Sequence, residues 1–167
     1  MGNARNFPPD VDGFEEVTTA LMDTVNSYPG LMEGEQFKFS SIEPEEGLSI
    51  FASSGSFIME DHESITGHVW QQCLYPFMVI CQASGLNQKR KIQLKEWMDT
   101  FARWLTRQPV NIGDETVVLT EWPRLTGGRV IKRITKNTPA YLGSINEDKN
   151  ETWIMNLQIQ YQNEFDR

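Results

Sequence analysis

Apolar side chains recur along this chain in two rhythms, and each rhythm predicts a kind of element. Phe14, Val17, Leu21, Val25 and Tyr28 are spaced by three and four residues, the signature of a helix that buries one face. Asp10 and Asp12 precede this stripe as N-cap candidates, and Pro29-Gly30 follows it as a stop signal. A longer helical pattern runs from Asn87 to Arg107. Leu94, Trp97, Met98, Phe101, Trp104 and Leu105 share one side, while Lys89, Arg90, Lys91, Lys95, Glu96 and Arg103 share the other. Arg107 suits the negative end of the helix dipole, and Pro109 marks the stop.

Elsewhere the rhythm shortens to two. Thr152 to Tyr161 alternates cleanly, with Trp153, Met155, Leu157, Ile159 and Tyr161 on one side and Asn156, Gln158 and Gln160 on the other. That is one buried and one wet face of an antiparallel strand. His68 to Gln82 is the strongest strand signal of the first half, although Pro76 implies an edge, a bulge or a break there. Phe37, Phe39 and Ile42 suggest a short strand closed by Pro44. Leu48 to Met59 suggests a strand weakened or bulged at Ser53-Ser54-Gly55-Ser56, followed by a polar loop over Asp61 to Gly67. Arg129 to Thr135 and Tyr141 to Ile145 read as further short strands, separated from the long helix by a polar connector containing Trp122-Pro123 and a Gly127-Gly128 turn.

Helices and strands are thus segregated rather than alternating. The expected class is α+β, an antiparallel sheet with two main helices packed on one face. A length of 167 residues without internal repeats fits a single domain over 1–167. Five Trp and nine Phe supply an ample core, which argues against intrinsic disorder. The longest apolar run, Phe77 to Cys81, falls far below the ~20 residues of a membrane helix, so no membrane association is expected. The chain carries no basic-then-apolar leader to mark it for secretion. Cys73 and Cys81 read as reduced, partly buried thiols of a cytosolic protein.

Charge adds an asymmetry that the hydropathy pattern does not show. The net charge is -8, which disfavours general nucleic-acid binding. Residues 1–66 carry thirteen acids against two bases, residues 67–146 five acids against eleven bases, and residues 147–167 five against two. Such a split can reflect solvated loops and helix faces. It can also give a folded monomer an acidic side and a basic side, suited to head-to-tail contact between copies.

Candidate chemistry is sparse. The glycines are scattered and form no phosphate-cradling loop. His62, Glu63 and His68 include two histidines, but their spacing of six does not place both imidazoles on one helical turn. The same histidines lie near Ser64 in a polar segment without the pattern of a buried nucleophile and base. Glu45-Glu46 and Asp61/Glu63 are carboxylate pairs that read as solvated loop acids. Arg129, Lys132, Arg133 and Lys136 alternate along a strand, giving a phosphate-binding patch, a protein contact or a charge-protected edge. No catalytic residue, metal ligand or cofactor site is expected.

Three blocks carry a family resemblance. They are Phe37-Lys38-Phe39-Ser40-Ser41-Ile42-Glu43-Pro44 leading into Gly55-Ser56-Phe57, then Tyr75-Pro76-Phe77-Met78-Val79 with Ser84-Gly85-Leu86 and the helix Lys95 to Leu105, then Ile134-Thr135, Ala140-Tyr141-Leu142 and Trp153 to Tyr161. With these blocks the chain resembles the minor capsid proteins of long-tailed bacteriophages that look like tail terminator or tail-completion proteins. The connector around residues 110–128 is longer than in that pattern, and the first helix is more acidic. The resemblance implies a non-enzymatic virion protein at the head–tail junction, assembled in the bacterial host cytoplasm. It would form a ring of identical copies, expected as a hexamer, that stops tube growth. Its partners would be the major tail tube protein and the head-completion or connector protein, with DNA passing through the lumen without specific binding. Arg129, Lys132, Arg133, Lys136, Glu45 and Glu46 are then the subunit-interface candidates. The alternative is a small non-catalytic ligand-binding or regulatory domain acting as monomer or dimer.

Overall fold

The computed structural model describes residues 12–41 and 46–167; Asp10, Ile42, Pro44 and Glu45 lie outside them. Two strands dominate. β4 (His68–Ser84) and β9 (Asn150–Asp166) pair antiparallel over their whole length, from His68 opposite Asp166 to Ser84 opposite Asn150. Period-two patterning explains the pairing. Cys73, Tyr75, Phe77 and Val79 of β4 share a buried face with Met155, Leu157, Ile159 and Tyr161 of β9.

Shorter strands flank this ladder. On the β4 side, β2 (Gly47–Ala52) pairs with Phe77–Gln82 and β3 (Phe57–Glu63) pairs with Val69–Leu74, both antiparallel. The single strand expected over Leu48–Met59 is therefore two strands, with 53–56 stepping between them. The loop expected from Asp61 is shorter, because Asp61–Glu63 belong to β3. Pro76 neither ends nor splits β4. Its carbonyl accepts a hydrogen bond from Ser53 N–H (3.0 Å), and in a strand N and C=O of one residue point the same way. The proline nitrogen, which has no proton to donate, therefore faces the gap between β2 and β3, where no ladder bond is lost.

On the β9 side, β7 (Val130–Lys136) pairs with Leu157–Gln162 and β8 (Tyr141–Ile145) with Glu151–Ile154, both antiparallel. β1 (Phe37–Phe39) adds to β2 in parallel, which makes the sheet mixed although mostly antiparallel. The polar connector holds an unexpected hairpin of β5 (Val110–Ile112) and β6 (Glu115–Val117). Its two-residue turn has positive φ only at Gly113 (61°), the sign pattern of a type II′ turn.

Both helices cover one face, giving the expected α+β layering. α1 (Phe14–Val25) buries Val17, Leu21 and Val25 and stacks Phe14 on Tyr75. Its Thr18 hydroxyl bonds the Tyr75 hydroxyl at 2.8 Å. Gly13 holds the N-cap position with φ 88°, while the Asp12 carboxylate accepts from Phe14 N–H. α2 (Gln88–Leu105) is capped by the Asn87 side chain, which accepts from Arg90 N–H. Phe101 is fully buried, stacked on Phe37 and set edge-on to Tyr28.

The end of α2 departs from expectation. Gln108 N–H returns to Arg103 O and Arg107 N–H to Trp104 O, a Schellman closure with arginine, not glycine, at the left-handed position (φ 67°). The Arg107 side chain donates to the carbonyls of Leu119 and Thr120 and lies 5.1 Å from the Trp122 ring centre. Trp122 in turn donates to Leu105 O. The arginine thus ties the connector to the helix end.

Candidate functional site

Viewed as strand columns, one end of the sheet runs β3–β4–β9–β7 and the other β1–β2–β4–β9–β8. In the first of these tiers both outer strands are edges, and their chemistry differs. β3 carries Glu60, Asp61 and Glu63 with no lysine or arginine, and every one of its residues is exposed. β7 carries Lys132, Arg133 and Lys136 with no acid. Each strand has a register shift, between Ile58 and Glu60 in β3 and between Ile131 and Arg133 in β7.

The expected interface residues are distributed unevenly around this frame. Lys132 sits in the bulge of β7 and Arg133 lies opposite Gln160; both are exposed. Lys136 closes β7 with its ammonium 4.0 Å from Asp99. Arg129 turns inward instead. Its side chain is only 13% exposed, donates to Asn163 Oδ1 (3.1 Å) and lies 3.8 Å from the Glu16 carboxylate. Glu46 is exposed beside β2, in a shallow depression with Glu33, Glu35 and Lys38, at the end of the sheet remote from β7. Glu45 lies outside the described residues.

β3 brings Glu60, Asp61 and Glu63 into the same tier as β7, although the sequence pattern consigned Asp61 and Glu63 to a loop. The available signal was the apolar triplet Phe57-Ile58-Met59 running directly into the acidic stretch. A second residue missed was Asp99, buried on the otherwise apolar side of α2. Burial pushes its carboxyl up, but the Ala140 N–H bond (3.0 Å), the Lys95 bond (2.7 Å) and the charges of Lys95 and Lys136 outweigh this and hold it below its ordinary value. Asp99 thereby links α2 to the segment between β7 and β8.

A concavity of about 440 Å³ adjoins the β7 edge, lined by Arg107, Arg124, Arg129 and Lys132 around Trp122, with Glu121 as its one acid. A more apolar groove of about 580 Å³ lies on α2, between Tyr28, Ile92, Trp97 and Ile112. The reactive side chains are occupied otherwise. His62 lies against Trp70 and 3.6 Å from Glu60. His68 bonds Asp166 (2.8 Å) with Glu164 at 3.5 Å. Cys73 and Cys81 are buried free thiols, and burial raises both, Cys81 to about 12, so neither presents a thiolate. Among the described residues no three His, Cys, Asp or Glu side chains are grouped to hold a metal, and no helix is long and apolar enough to cross a membrane.

Compared with known proteins, the chain matches no family model and no curated sequence.

Proposed function

We propose that the protein is a structural subunit of a long-tailed bacteriophage, a tail terminator that forms a ring at the head-proximal end of the tail tube. The observation that carries this reading is the one-sided architecture. Helices cover one face of the sheet, while the strands at its margins leave Phe57, Ile58, Met59, Tyr141, Leu142 and Ile145 exposed. A monomer rarely leaves so many large apolar side chains on edge strands unless another surface covers them. The three blocks of resemblance supply the phage context. In it the ring, a hexamer by analogy, caps the major tail tube protein, docks to the connector and lets DNA slide through. The surplus of acids disfavours phosphate binding, which suits a channel that DNA must leave freely.

The test is assembly itself. Purified protein added to polymerising tail tube protein is expected to shorten the tubes in proportion to its amount and to cap one end in electron micrographs. Tubes of unchanged length and uncapped ends would refute the reading. The groove between Tyr28 and Trp97 favours the second reading, a small-molecule binding domain; native mass spectrometry that finds a monomer retaining a ligand would support it instead.

A further inference from the structure

We infer that copies of this chain join edge to edge, the β3 strand of one copy seating against the β7 strand of the next. The inference rests on the proposed ring but not on its place in a tail. Its ground is that the two edges of one tier are complementary to each other. Phe57, Ile58 and Met59 of β3 are 48%, 50% and 47% exposed, and no residue of the strand is buried. Beside them stand Glu60, Asp61 and Glu63; across the sheet, on the far edge, stand Lys132, Arg133 and Lys136, with half-exposed Val130 beside them. Asp61, Lys132 and Arg133 make no ion pair among the described residues. The basic concavity around Trp122 extends the cationic surface at the β7 edge.

Strand direction agrees with the charge. β3, β4, β9 and β7 alternate in direction, so a neighbour related by rotation about an axis along the strands presents its β3 antiparallel to β7. The contact joins two different patches, so it repeats head to tail and closes where the rotation permits. The bulges in both strands interrupt any long backbone ladder, which limits indiscriminate edge pairing and leaves side chains to choose the partner. Exposed charge pairs contribute little affinity each, so the apolar triplet supplies adhesion and the charges supply register.

The experiment uses full-length chain with two paired reversals, Lys132→Glu with Arg133→Glu on the basic edge, and Glu60→Lys with Asp61→Lys on the acidic edge. Multi-angle light scattering and electron microscopy read the assembly, and circular dichroism confirms that each variant is folded. Each variant alone then has two like-charged edges, and its assembly should weaken by about tenfold or more, toward the 19.2 kDa monomer. An equimolar mixture restores every unlike contact and should reassemble into alternating rings. Assembly of either variant at wild-type strength, a mixture that stays monomeric, or a wild-type chain that never associates would overturn the inference. Loss of tube capping with mixture rescue intact would refute the terminator reading alone. Capping with reversal-insensitive rings would refute the edge pairing alone.

Discussion

β2 and β3 are neighbours in sequence and lie antiparallel on the same edge of β4, yet one is core and the other is surface. β2 places Leu48 and Ile50 in the buried cluster under the helices, and β1 closes its outer side. β3 has Ile58 half exposed, no residue buried and, among the described residues, no strand on its outer side. Both strands carry isoleucine and phenylalanine, but β3 adds Glu60, Asp61 and Glu63, which β2 lacks, and the two strands differ in cover as well. α2 packs Phe101, Trp104 and Leu105 into the same buried cluster as Leu48 and Ile50 of β2, and no residue of β3 joins that cluster. Large apolar residues left half exposed on an edge strand suit burial against another molecule.

The strongest challenge to this contrast is Phe101→Ala. Phe101 joins α2 to β1 through Phe37 and to the end of α1 through Tyr28. Its truncation should cost about 3–5 kcal/mol, read in thermal unfolding as a fall of roughly 6–20 °C for a domain of this size. An unchanged melting temperature would mean that the helix does not cover the β2 end.

The paired isoleucines sharpen the same point. Ile50→Ala should destabilise by about 2–5 kcal/mol, whereas Ile58→Ala should stay within about 0.5 kcal/mol in the monomer and act on self-association instead. Denaturant titration and light scattering on both variants separate the two effects. Equal destabilisation would erase the contrast between the strands.

Asp99→Ala should cost about 1–3 kcal/mol, because it strands the Ala140 N–H and removes the anion facing Lys95 and Lys136. The folded state lowers this carboxyl's pKa, so its contribution is present above the ordinary value of 3.8 and lost as pH falls through the lower folded value. Wild type and Asp99→Asn should therefore converge in stability at the acid end of a pH series. A gap that persists there would point to a steric origin.

The smallest effect is at the β3–β4 turn. The hydrogen bond with Asp166 raises the His68 imidazole pKa above its ordinary 6.5, against a lowering by partial burial, with the charges of Asp166 and Glu164 adding to the rise. A raised value means that the contribution is complete below 6.5 and fades as pH climbs through the folded value. An NMR titration should place the midpoint above 6.5, and Asp166→Asn should bring it down. A midpoint indifferent to Asp166 would exclude the pairing.

Much of the frame was legible in the chain. The stripe from Phe14 to Tyr28, the face from Leu94 to Leu105 and the alternation from Trp153 to Tyr161 each follow from a local period, and burial needs only the right side of a locally determined element. The strand from His68 to Gln82 was legible but its passage unbroken through Pro76 was not, and Ser53 to Ser56 read as a weak point of one strand, not as the step between two. Whether a proline breaks a strand depends on what its nitrogen faces, here the step between β2 and β3. The interface candidates divided for a similar reason. Lys132 and Arg133 remain exposed at an edge, but Arg129 is drawn to Glu16 and Asn163, which lie 113 and 34 residues away in sequence. Asp99 is one acid among many in sequence, and only its burial against Ala140 and Lys95 distinguishes it.

By itself, then, the sequence determined periodicity and charge content: two amphipathic helices, the long alternating strand, the acidic first third and the basic middle. The tertiary structure alone decided adjacency. It brought β3 and β7 to opposite edges of one tier, with acids on one edge and bases on the other, and left Phe57 to Met59 half exposed. Local patterns encode which face of an element is apolar, whereas the neighbour that covers the face depends on contacts between segments far apart in the chain, whose geometry no local window contains.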